Sequence, residues 1–160
     1  MVGEPEDPMQ REIVLTRFLE APRNRVFQLW TQHELLAEWW GPAGFSNPRC
    51  QLEPKVDGMI RIDMQAPDGK IYPCFGTIRE IVPPERLVFT CGSGTGPSDL
   101  RFDVLCSLTL VEQPQGKTLL TLQLRVLDIA DPASASDLDQ METGWRQSLD
   151  RLAERLAVLT

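Results

Sequence analysis

Residues 100–110, LRFDVLCSLTL, and residues 120–126, LTLQLRV, carry the pattern that decides how the rest of the chain is read. Leu100, Phe102, Val104, Cys106, Leu108 and Leu110 take every second position of the first stretch, and Leu120, Leu122, Leu124 and Val126 do so in the second. Successive side chains of a strand point to opposite faces, so this period of two predicts two long strands, each with one apolar face. Side by side they make a surface that a second layer must cover.

The same pattern extends toward the N-terminus. Ile60, Ile62 and Met64 alternate with Arg61 and Asp63, and Ala-Pro-Asp-Gly at 66–69 reads as a hairpin turn. Residues 70–82 form the return strand, and Val-Pro-Pro-Glu at 82–85 reverses the chain before Leu87, Phe89 and Cys91. With a strand at 45–53 this makes a meander of about six strands, and the β-branched stretch EIVLTRFLE at 12–20 adds one more.

Two short helices are predicted after that first strand. Pro22 suits a first helical turn, and Val26, Leu29 and Trp30 share one face at i, i+3, i+4. Thr31-Gln-His-Glu34 has the form of a capping box for a second helix over 32–40, closed by Gly41-Pro42. On it Leu35 and Leu36 align with Trp39 and Trp40, whose indoles point about 100° apart. One indole is expected to anchor the helix in the core and the other to lie at a cavity mouth.

The cover for the sheet comes last. After a turn-rich link at 128–136, Leu138, Met141, Trp145, Leu149, Leu152, Leu156 and Leu159 recur at spacings of 3 and 4, with Glu142 and Arg146 paired on the outer face. The expected fold is α+β: a curved antiparallel sheet of six to seven strands gripping a long C-terminal helix. A twisted sheet and a straight helix stay in contact over only part of their length, so this geometry invites a cavity.

Composition narrows the function. The 160 residues are expected to form one domain, 11–160, behind an acidic, proline-rich flexible leader, 1–10, which lacks the basic start and apolar stretch of a signal peptide. A cytoplasmic location is expected. The formal charge of −7 opposes binding to nucleic acid or anionic lipid, and the longest purely apolar run, Leu156 to Leu159, is far too short for a membrane span.

Cys50, Cys74, Cys91 and Cys106 are widely spaced and read as buried free thiols, and His33 is the sole histidine. No metal site, cofactor or Ser-His-Asp catalyst is expected from that inventory. Cys-Gly-Ser-Gly-Thr-Gly at 91–96 lacks the Lys-Ser/Thr of a phosphate loop and reads as a flexible hairpin loop able to gate the cavity.

The segments FLEAPRNRVFQLWT, LLAEWWGP, APDGKIYPCFGTIREIVPPERLVFT and GWRQSLDRLAERL resemble the helix-grip (START-like, SRPBCC, birch-pollen-allergen-like) superfamily. More narrowly, they resemble the branch of small bacterial proteins named after the activator of the heat-shock-protein ATPase, over roughly residues 11 to 158. The resemblance implies a hydrophobic tunnel between sheet and C-terminal helix, used by different relatives for lipids, hormones or polyketides and in a few for cyclisation or hydrolysis. A shared fold transfers the cavity but not its ligand.

The candidate ligand-binding residues are Trp30, Trp39, Trp40, Phe45, Met64, Tyr72, Phe75, Phe102, Met141, Trp145 and Leu149. They favour a module binding a small apolar or amphipathic molecule. A polyketide cyclase or hydrolase steered by Tyr72, Arg61 or Asp63 ranks second, and a stress-response protein activating a chaperone ATPase third. A homodimer is compatible with each. Of the polar groups near strand centres, Arg61, Asp63, Tyr72, Arg79 and Arg125, most are expected outside, where the period of two places them, and any that points inward would orient a carboxylate or carbonyl on the ligand.

Overall fold

The computed structural model describes residues 12–96, 99–129 and 135–159, with side chains at all of these except 95, 99–102, 135–138 and 159. The elements run β1 (Glu12–Leu19), α1 (Arg23–Thr31), α2 (His33–Leu36), β2 (Ser46–Leu52), β3 (Met59–Gln65), β4 (Ile71–Val82), β5 (Arg86–Gly96), β6 (Asp99–Gln113), β7 (Lys117–Ile129) and α3 (Ala135–Leu159). The predicted leader lies outside the described residues, as does much of the link at 128–136.

Seven antiparallel strands form one sheet in the order β1-β7-β6-β5-β4-β3-β2. The meander β2 to β7 follows chain order, and β1 joins by pairing with β7, Leu15 opposite Leu122. Leu122 in turn faces Leu108 on β6. These rows form the buried face, where Leu15, Leu108, Leu110, Leu120 and Leu122 are all at most 2% exposed. Turn chemistry sets the register: Gly69 donates to Ala66 O at 2.8 Å with φ +90°, closing the predicted Ala-Pro-Asp-Gly turn.

Across this face lies α3, 25 residues long, which buries Trp145, Leu149, Leu152 and Leu156. Arg146 donates to Glu142 at 3.2 Å on its outer side, at the predicted i, i+4 spacing. α1 and α2 close one end of the grip with Val26, Phe27, Leu29, Trp30 and Leu36, all buried.

Two local expectations are corrected. Thr31 does not cap a second helix: it is the last residue of α1, and its hydroxyl donates back to Phe27 O at 2.9 Å, four residues earlier. α2 is therefore a single turn, His33–Leu36, and Ala37 to Trp39 continue as turns. Residues 91–96 are not a loop but the end of β5, bulged where Ser93, Gly94 and Gly96 pair with β6. Three glycines in six residues suggest a loop, but here they relax the strand where it bends.

Candidate functional site

α3 and the sheet part toward one end, leaving a cavity of about 400 Å³, partly open to solvent. Its sheet wall is set by register. Met64 lies opposite Tyr72 on β3 and β4, Cys74 opposite Ser93 on β4 and β5, and Cys91 opposite Val104 on β5 and β6. Gly92 completes that wall, while Met141, Gly144 and Ser148 of α3 line the opposite side with Gln140. Gly41, Pro42 and Phe45 form the rim that joins them.

Small residues make the hollow. Cys74, Cys91, Gly92, Ser93 and Gly144 stand where, further down the same layers, Leu and Ile fill the space.

The floor is an aromatic ring of all four tryptophans. Trp30 packs edge-on against Trp39 with ring centroids 4.7 Å apart and stacks on Trp145 at 5.9 Å. Trp40 meets Trp39 at 6.0 Å and Trp145 at 4.9 Å, closing the circuit. Trp39 is fully buried, its indole N–H donating to Leu29 O at 2.9 Å, which ties the turn after α2 to α1. Trp40 is 5% exposed and borders both the cavity and a void of about 10 Å³ beneath it. The second indole is thus a floor between hollow and packed core, and not a lip at the mouth.

A set of polar bonds bolts this floor to α3. Arg151 Nη1 donates to the carbonyls of Trp40, Gly41 and Pro42, each at 3.0 Å, and Arg155 grips the Glu38 carboxylate at 2.7 and 3.0 Å. Gly41 N donates to Ser148 Oγ at 3.1 Å, and Ala43 N to Gln147 Oε1 at 3.0 Å. The guanidinium thus satisfies carbonyls of the segment after α2, where no helix continues to pair them. Burial lowers the Arg151 pKa from its ordinary value, with Glu154 opposing that shift. Gly41 sits at φ +96°, and a Cβ there would come within 3.3 Å of Met64 Sδ, so the bolt requires glycine.

Two of the cavity-wall cysteines, Cys74 and Cys91, are neighbours on adjacent strands. The Cys74 thiol is pushed well above its usual pKa, first by a hydrogen bond with Cys91, then by burial and by the neighbouring Cys91, Cys106 and Asp103. Burial is the main cause of the same shift at Cys106, which is fully buried, and burial pushes Cys50 on β2 up to about 11. All four cysteines are free, with Cys50 and Cys91 only half-buried instead of fully inside.

The structure gathers six of the predicted residues around the cavity: Trp40, Phe45, Met64, Tyr72, Met141 and Trp145. Trp30, Trp39 and Leu149 belong to the packed core below and do not line it. Phe75 faces the other side of the sheet, where the Arg61 guanidinium covers its ring at 4.5 Å and bonds Asp63 at 3.1 Å. Its burial comes from that cation–π cover, which the sequence pattern alone does not reveal. The Phe102 side chain lies outside the described residues.

Arg79 and Arg125 are exposed, as period two implies. The thiols, Ser93, Gly144 and the rim glycine and proline were missed as lining residues. For the thiols and Ser93 the signal was small size at inward positions of otherwise large-residue strands, and for Gly144 a small residue beside Trp145 on the apolar stripe of α3.

A sheet wrapped on a C-terminal helix, with a hollow between them floored by the early helices, defines a helix-grip protein. The family model described as "Activator of Hsp90 ATPase homolog 1-like protein" matches residues 20–157, and the chain belongs to that family. Among solved structures, a protein of Arthrobacter aurescens is similar with a TM-score of 0.80 and 21% identity, covering 98% of this chain and 91% of that one. A Chromobacterium violaceum protein is 28% identical with a TM-score of 0.72, covering 91% and 96%. A Silicibacter pomeroyi protein titled as AHSA1 is 25% identical with a TM-score of 0.74, covering 94% and 100%. Among curated proteins none matches this chain. Among the described residues no helix is long and apolar enough to cross a membrane.

Proposed function

We propose that the cavity holds a small apolar or amphipathic molecule that is uncharged where it is buried. The observation carrying this reading is a hollow of about 400 Å³ whose described lining is mostly aromatic, sulfur-bearing or small, without a charged side chain. That volume lies within the range of small-molecule sites, and such a wall would leave a buried ligand charge unpaired. Tyr72, Ser93, Gln140 and Ser148 supply the polar edge to which a hydroxyl or carbonyl of an amphipathic ligand would turn.

The family supports the reading through its shared fold, and the aromatic floor supports it physically. A flat ligand would rest on Trp40 and Trp145, whose indoles offer both area and an edge. The catalytic alternative loses ground, since Arg61 and Asp63 pair on the far face of the sheet and only Tyr72 of its three residues reaches the cavity.

The test is native mass spectrometry of gently purified protein, followed by titration with the neutral dye N-phenyl-1-naphthylamine. A co-purified small molecule, displaced by the dye with saturable 1:1 fluorescence, is expected. No retained molecule together with no saturable dye signal overturns the reading.

A further inference from the structure

Four of the residues lining the cavity carry sulfur: Met64, Cys74, Cys91 and Met141. Cys74 on β4 pairs with Ser93 on β5, and Cys91, two residues before Ser93, is therefore its diagonal neighbour on the adjacent strand; both point to the same face and line the same hollow. A cavity for an apolar ligand does not need two neighbouring thiols on its wall, and Ala or Ser would fill the space equally well.

We propose that Cys74 and Cys91 form a dithiol site for a soft, trivalent thiophilic centre bearing one apolar group, the chemistry of a mono-organo arsenical. The proposal rests on the reading of the cavity as a ligand site and names a class of ligand for it. In the reaction an arsenical R–As=O takes up two thiols: two As–S bonds form, the As=O bond breaks, and both thiol protons leave with the oxygen as water. No element changes oxidation state, and the product R–As(S-Cys)₂ is neutral. A neutral product suits a described wall that offers no counter-charge.

Three other uses of the pair fit less well. A linear two-coordinate metal ion needs its sulfurs on opposite sides, separated by two metal–sulfur bonds, whereas these two cysteines project from adjacent strands into one hollow. A pyramidal centre bridges adjacent sulfurs. A higher-coordinate metal needs further donors, and no group of three or more His, Cys, Asp or Glu able to hold one occurs among the described residues. Conjugate addition needs a ready thiolate, which the burial of Cys74 works against. Condensation with release of water leaves no charge behind, and the aromatic floor of Trp40 and Trp145 would receive the apolar substituent.

Phenylarsine oxide is the probe. One equivalent added to the reduced protein is expected to give a single phenylarsenic adduct with loss of water by intact mass, leaving two of the four cysteines titratable after unfolding. Peptide mapping should find Cys74 and Cys91 protected. Cys91→Ser and, as a second variant against misfolding, Cys91→Ala should each weaken binding on the order of 100-fold or more through loss of the second, intramolecular bond. Cys50→Ser should leave it unchanged.

Affinity unaltered in both Cys91 variants, or protection of a pair containing Cys50 or Cys106, overturns the proposal. The neutral naphthylamine dye separates the two readings. Dye binding without arsenical binding defeats the dithiol site alone, and arsenical binding with neither dye binding nor a retained molecule defeats the proposed apolar-ligand function alone.

Discussion

The two ends of the space between sheet and helix are built from the same layers and behave differently. At the closed end Leu15, Ile62, Leu108 and Leu122 share one packed core with Leu149, Leu152 and Leu156, every one at most 2% exposed, and the void beneath Trp40 is only about 10 Å³. At the other end β4 and β5 of the same sheet present Cys74, Cys91, Gly92 and Ser93 to Gly144 of α3, and a hollow of about 400 Å³ remains between them. Curvature separates the layers, but side-chain size decides whether the separation becomes a void. Between the two ends lies the tryptophan ring, held by the Arg151 bolt.

The comparison breaks most sharply at Trp145, which belongs to both ends. Trp145→Ala removes the stack on Trp30 and the edge contact with Trp40. A loss of about 3 kcal/mol or more is expected in urea unfolding, since a large buried aromatic is being truncated. A loss below about 1 kcal/mol would show that the ring does not couple floor to helix.

Arg151→Met keeps the stem of the side chain and removes the donor shared by three carbonyls. About 2 kcal/mol should be lost, as for hydrogen bonds from a charged group, and Arg151→Lys should restore only part of it because an ammonium lacks the planar fork. Full rescue by lysine would mean that charge alone closes the floor.

Gly144 sharpens the contrast between the ends. Its added Cβ would meet only Pro42 Cγ, at 3.5 Å, so Gly144→Ala should stabilise α3 by about 0.5–1 kcal/mol, read as a raised midpoint in thermal melts. Gly144→Leu should instead fill the hollow and abolish saturable dye binding while the fold persists. Dye affinity unchanged by that leucine would place the binding site elsewhere.

The smallest effect lies on the sheet's far face. Burial raises the Asp103 pKa, against the hydrogen bond from Val104 N and the charge of Arg79. A carboxyl raised in the folded state favours folding while protonated, and that advantage disappears as pH rises through its folded value. Asp103→Asn should therefore gain stability over the parent at neutral pH, with the gap closing below the ordinary carboxylate value of 3.8. A gap that widens in acid would reverse the assignment.

Much of the fold was legible because periodicity reports which face a residue serves. The alternation at 100–110 and 120–126 specified β6 and β7, and the spacing from Trp145 to Leu156 specified the buried stripe of α3. Local signals misled where a distant partner won. Thr31 turned back to Phe27 instead of capping onward, and the glycines of 91–96 stayed in β5 because β6 supplies the pairing. The site was legible in its large residues and hidden in its small ones. Phe75 was misplaced because a buried aromatic looks the same in sequence whether a core or an arginine covers it.

By itself the sequence determined the layers, their order and the apolar character of the space between them, because strand and helix periods are local properties of the chain. Only the tertiary structure decided that Trp40 is a floor, that Arg151 holds it, and that two cysteines 17 positions apart in sequence line one hollow from adjacent strands. A void and a contact depend on what stands opposite, and what stands opposite is set by register and curvature across the whole sheet.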